Sequence, residues 1–142
     1  MMDTRLPTYL EVMELVAFLP RLYAQGFEPV AKWNGGDEGK DGLIRLPYPE
    51  YDPLVEAFYR AAAHDCWLDY GYRPEEAARM LANPELVRSA SLPQIKTMLT
   101  YCLRGERFSD GHWAEMIQAG HIRRLLERLA EIAAAMAQPG RQ

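Results

Sequence analysis

His121-Ile122-Arg123-Arg124-Leu125-Leu126-Glu127-Arg128-Leu129-Ala130-Glu131-Ile132-Ala133-Ala134-Ala135-Met136 carries the clearest period in the chain. Ile122, Leu125, Leu126, Leu129, Ile132, Ala133 and Met136 recur at helical spacing and leave the charged residues on the opposite side. A stripe of that width predicts an amphipathic helix whose apolar face must be covered by other elements. Gly120 precedes it, and Gln138-Pro139-Gly140 ends it.

Working outward, Ser91-Leu92-Pro93-Gln94 is a capping box, in which hydroxyl and amide side chains satisfy each other's backbone. The helix after it places Leu92, Ile95, Leu99, Cys102 and Leu103 on one face and ends at Gly105. Ser109 or Asp110 is expected to cap a short helix with Trp113, Met116 and Ile117 inside. At the other end of the chain, Thr8-Tyr9-Leu10-Glu11 is a second capping box. The helix it opens is apolar around most of its circumference, and Pro20 should kink or restart it before Gly26. Asp52-Pro53 starts a helix running to about Asp65, with Glu56 and Arg60 as a surface pair one turn apart. Pro74-Glu75-Glu76 and Asn83-Pro84-Glu85 open two more. Residues 27–52 have no helical period. Val30-Ala31-Lys32-Trp33 and Leu43-Ile44-Arg45-Leu46 read as strands joined by the glycine-rich turn Asn34–Gly42. Pro47, Pro49 and Pro53 then hold the chain extended past Tyr48 and Tyr51.

These elements predict a mainly α, compact single-domain helical bundle over residues 1–142, with a small β-hairpin after the first helix and loose termini at 1–7 and 138–142. At 142 residues the chain can bury a proper core, and its 49% hydrophobic content argues against wholesale disorder. A formal net charge of −4 lacks the broad basic footprint of a nucleic-acid binder. No run has the length of a membrane span, and the N-terminal stretch is broken by Glu11, Glu14 and Arg21, unlike a secretory leader. Cys66 and Cys102 stand alone, which fits buried thiols in a reducing cytoplasm better than a disulfide or metal pair.

The densest collection of reactive side chains is the loop Arg104-Gly105-Glu106-Arg107-Phe108-Ser109-Asp110-Gly111-His112. Arg104 and Arg107 can fork onto a carboxylate or phosphate. Ser109 and Asp110 at a helix start lie beside backbone amides that suit an anion. His112 can relay a proton near neutral pH. The plainer reading is a self-satisfied loop, with Arg107 bridging to Glu106 or Asp110 and Phe108 plugged into the core. Arg123 and Arg124 oppose the dipole at a helix start, which hints at an external anion; an Arg123–Glu127 pair explains only one of them. The short turn at Gly120 loosely resembles a helix-turn-helix, but Glu127 and Glu131 lie on the supposed reading helix.

Other motifs carry less. Gly35-Gly36-Asp37-Glu38 starts like a diguanylate cyclase signature, but Gly39 stands where an aromatic belongs, and the loop fails as a phosphate-binding glycine loop at Asn34 and Asp41. His112 with Glu115, and His64-Asp65-Cys66 with Asp69, lack recognised ligand spacing, so no metal and no cofactor is expected. No serine or cysteine stands with histidine and acid in nucleophile order.

Arg104-x-x-Arg107-Phe108-x-x-Gly111, then Gly120 and Leu126-x-Arg128-Leu129, resembles an uncharacterised bacterial family, domain of unknown function 6508. Leu19-Pro20, the Trp33 segment, and Gly42 leading into Leu46-Pro47-Tyr48 are similar too. The resemblance implies a small, mostly helical bacterial protein and supplies no activity, ligand or catalytic residue.

Function is thus expected to be non-catalytic: a binding or interaction module in which Arg104, Arg107, Asp110, His112, Arg123 and Arg124 hold an anionic small molecule or an acidic protein surface. The rival is an enzyme with Asp110 or His112 as general acid-base and Arg104 or Arg107 holding substrate. A helix-turn-helix or antitoxin-like protein stands third. Homodimerisation through the last helix is an open alternative, since its apolar stripe is equally what a core requires.

Overall fold

The computed structural model describes residues 5–36, 42 and 46–138. The chain is mainly helical, with one two-stranded antiparallel sheet among the described residues. Helix α1 spans Tyr9–Val16 and α2 Leu19–Leu22, so Pro20 does restart the helix, after a turn at Ala17 and Phe18. The predicted capping box is formed: Glu11 N–H donates to the Thr8 hydroxyl at 3.3 Å, and Thr8 N–H donates to the Glu11 carboxylate at 2.9 Å.

Strand β1 covers Val30–Asn34 and β2 Tyr48–Tyr51. The partner of β1 is therefore the proline-flanked segment, not Leu43–Leu46, of which residues 43–45 lie outside the described residues. Trp33 pairs with Pro49, and an irregularity falls between Val30 and Lys32. A two-stranded sheet consists only of edge strands, where a missing amide donor is tolerated.

Helix α3 spans Pro53–Ala62, shorter than expected, with Asp52 accepting from Leu54 N–H at 2.8 Å. The predicted Glu56–Arg60 pair is absent from the ion pairs of the described residues. A 3-10 turn at Asp65–Trp67 follows, then α4 (Pro74–Leu81), α5 (Pro84–Arg88) and α6 (Leu92–Arg104), the last opened by the expected Ser91–Gln94 box. A second 3-10 turn, Gly105–Arg107, leads to α7 (His112–Gln118) and α8 (His121–Met136).

Helix α8 is the centre of the core. Ile122, Leu125, Leu126 and Leu129 are fully buried, covered by α1, α5, α6 and α7. Burying each of these side chains contributes about 1.5–3 kcal/mol. Met136, expected on the same stripe, is exposed. Helix α1 has eight residues against the sixteen of α8 and cannot cover its full length. Within the N-terminal lead-in, Arg5 is tied down: its guanidinium bonds Glu11 at 2.6 Å, and its carbonyl accepts from the buried Lys96 ammonium at 2.9 Å.

Candidate functional site

The end of α6 sets the site. Leu103 and Arg104 form its last turn, and the chain continues through Gly105–Arg107 without leaving right-handed geometry. Gly105 ends α6 as expected, though not by turning left-handed. Its φ is −59°, and its glycine has another cause: a Cβ there would overlap the His112 imidazole. His112 is 7% exposed, edge-on to Tyr101 at 5.3 Å, and its Nε2 has no hydrogen-bond partner among the described residues.

Glu106 organises everything around it. One carboxylate oxygen accepts from the Tyr51 hydroxyl and from Trp113 N–H, both at 2.8 Å; the other accepts from Gly111 N–H at 3.2 Å. The start of α7 is thus capped by Glu106 and not by Ser109 or Asp110, and Gly111 supplies the left-handed turn at φ 93°. Those amides, expected to face an external anion, are already used. Burial, reinforced by the Glu106 bond, pushes the Tyr51 phenol well above its ordinary pKa.

Trp113 is fixed from several directions. Its indole N–H donates to Leu103 O at 2.8 Å, its carbonyl accepts from the Tyr59 hydroxyl at 3.0 Å, and its ring stacks on Tyr59 at 4.5 Å and 10°. On one side of it lies a recess of about 410 Å³ lined by Ala63, Leu68, Leu103, Arg104, Glu106, Arg107 and Trp113. Arg104 lies over the rings of Tyr70, at 5.9 Å, and Tyr72, at 5.6 Å. Aromatic faces steady a guanidinium without occupying its N–H edge. Neither Arg104 nor Arg107 has a carboxylate within ion-pairing distance among the described residues. The expected Arg107 bridge to Glu106 or Asp110 is therefore absent, and Phe108, expected in the core, is 84% exposed.

The family model of the DUF6508 family of unknown function matches residues 7–135, from ahead of α1 to the last turn of α8. The chain belongs to that family. No curated protein and no solved structure gave a match.

In this DUF6508 chain the remaining candidates separate. Asp110 lines a different recess, of about 540 Å³, with Glu28, Glu115, Trp33 and Gly111 among its walls. His112 lines none of the recesses described here, so Asp110 and His112 do not converge as an acid-base pair. Arg123 pairs with Glu127 at 3.5 Å and lies over the Tyr23 ring at 5.7 Å. The Tyr23 hydroxyl donates to Ile117 O at 2.7 Å and accepts from Arg123 N–H at 2.9 Å, bridging α7 to α8, while burial pushes its pKa up to about 12. Arg124 donates to His121 Nδ1 at 3.1 Å; its own Nε is buried without a partner among the described residues. Burial first, then the Arg124 charge, lowers the His121 pKa. The helix-turn-helix comparison gains nothing: the inner face of α8 is core, and its exposed face carries Glu127 and Glu131.

Among the described residues no group of three or more His, Cys, Asp or Glu is placed to hold a metal, and no helix is long and apolar enough to cross a membrane. Cys66 and Cys102 are both free and buried.

Sequence reasoning missed part of the site. A second recess, of about 550 Å³, is lined by Asn34, Tyr48, Glu50, Tyr51, Arg60 and others, and shares Ala63, Leu103 and Trp113 with the arginine recess. The aromatic residues Trp33, Tyr48, Tyr51, Trp67, Tyr70, Tyr72 and Trp113 read from the sequence as core and pocket wall with tips toward a cleft over the arginine loop, and Tyr48, Tyr51 and Trp113 do line these recesses; Asn34, Glu50 and Arg60 carried no such signal.

Proposed function

We propose that this protein is a small non-catalytic binding module that takes an anionic ligand at Arg104 and Arg107, in the cleft whose inner wall is Trp113. The observation that carries this reading is the state of Arg104: it is held by the rings of Tyr70 and Tyr72, lines a recess, and has no carboxylate partner among the described residues. The one carboxylate in that recess, Glu106, already accepts three hydrogen bonds from the protein itself. Two guanidiniums beside one carboxylate that is engaged elsewhere leave an excess of positive charge and unused donors, the chemistry that selects a carboxylate or phosphate. The recess volumes, about 410 and 550 Å³, fall in the range of about 300–1,000 Å³ that small-molecule sites occupy. Asp110, His112, Arg123 and Arg124 are not part of this proposed cleft. The two buried thiols fit a reducing, cytoplasmic location.

Thermal unfolding in the presence of inorganic phosphate, citrate and succinate tests the reading. At a ligand concentration 100 times Kd the linked stabilisation is about 2.7 kcal/mol, readily measured. An anion should raise Tm in the wild type and have a much smaller effect on Arg104→Ala and Arg107→Ala. Equal responses from all three proteins would remove the site.

A further inference from the structure

We infer, on the basis of the anion-binding reading above, that the ligand is a nucleoside monophosphate, with its phosphate at Arg104 and Arg107 and its base in the recess of Tyr48. Ala63, Leu103 and Trp113 wall both recesses, so the two adjoin at a shared apolar wall. The ends differ in chemistry. At one, two exposed or half-exposed guanidiniums have no carboxylate partner among the described residues. A phosphate monoester carries close to two negative charges at neutral pH and offers oxygens to both forks, where a carboxylate carries one charge.

At the other end Tyr48 is 51% exposed and stands on β2 with Glu50, and the recess is also lined by Glu56 and Arg60. A half-exposed ring on the wall of a cleft suits a flat ring laid against it. Glu50 and Glu56 have no hydrogen-bond or ion-pair partner among the described residues. Ionised carboxylates only accept, so the flat ring must bring N–H donors. A nucleobase does so and a benzene ring does not. Guanine is the best match, because its ring N–H and exocyclic amine lie side by side and can both reach one carboxylate. A free nucleotide is favoured over a strand: the formal net charge is −4, and the base end carries two carboxylates against the single cation Arg60, which makes no basic track along the surface.

Isothermal titration of the full chain with GMP, AMP, UMP, guanosine, inorganic phosphate and a 5′-phosphorylated RNA hexamer tests this. GMP should bind about tenfold or more tighter than inorganic phosphate, and guanosine weakly. Tyr48→Ala and Glu56→Gln, both at exposed positions, should weaken GMP by about threefold to tenfold and leave phosphate unchanged. Arg107→Ala should weaken both. Phosphate binding as tight as every nucleotide would overturn the nucleotide inference while the anion site stood. A hexamer binding more tightly than GMP at physiological salt would overturn it in favour of a strand. No binding of phosphate or nucleotide by the wild type would overturn both readings.

Discussion

Two arginine pairs, Arg104/Arg107 and Arg123/Arg124, look alike in the sequence and have opposite fates in the fold. Both lie near helix ends and glycines. Arg123 is drawn to Glu127 and lies over Tyr23, and Arg124 bonds His121. Arg104 and Arg107 meet no carboxylate among the described residues and line a recess. The difference arises from what each helix end needs. The start of α8 sits against α7 and Tyr23, and its arginines are taken up there: Arg123 lies over the Tyr23 ring and pairs with Glu127, and Arg124 bonds His121 of the same helix. At the start of α7, Glu106 meets the amides, and the neighbouring arginines are left without a carboxylate partner among the described residues. An arginine cluster is therefore informative about function only after the local carboxylates have been assigned.

The comparison can be broken most forcefully at Glu106. Glu106→Ala strips the acceptor from Tyr51, Gly111 and Trp113 together, and should cost about 2–3 kcal/mol, read by urea unfolding. A loss under about 0.5 kcal/mol would mean that this carboxylate does not organise the site. On the other side, Tyr23→Phe removes the bridge from Ile117 O to Arg123 N–H and should cost about 1–2 kcal/mol without touching any anion response.

Smaller effects sharpen the contrast. Arg104→Ala gives up its ring contacts and should change stability by only about 0.5–1 kcal/mol. It should nevertheless greatly reduce stabilisation by phosphate, whereas Arg124→Ala should preserve it. The smallest effect is on pH dependence. His121 has a folded pKa lowered below 6.5, so the unfolded chain binds its proton first. Stability should fall as pH drops through about 6.5 toward the folded value, and His121→Gln should flatten that part of the profile. An unchanged slope would show that His121 is not the group responsible.

What the sequence made legible was local. Thr8 with Glu11, Ser91 with Gln94, and Asp52 all cap as expected, because a cap involves residues two or three positions apart. The α8 stripe was legible for the same reason, as far as Leu129 and Ala133. The partner of β1 was not, since two short extended segments compete and only tertiary packing chooses between them. The cap of α7 was misread because its carboxylate comes from the preceding 3-10 turn, and its alignment depends on Tyr51 far upstream. Phe108 was placed inside by hydrophobicity, but a residue's polarity does not fix which way a loop turns. The reactive loop was found, yet its members point to different recesses, and the rings that hold Arg104 come from about thirty residues earlier in the chain.

The most direct measurement is a phosphate titration followed by the side-chain Nε–Hε NMR signals of the arginines, with Arg104, Arg107, Arg123 and Arg124 assigned by single substitution. Saturable shifts are expected at Arg104 and Arg107, with the Arg123 and Arg124 signals unmoved. Saturable movement confined to Arg123 and Arg124, or no saturable movement at any of the four, would contradict the division of labour between the two pairs.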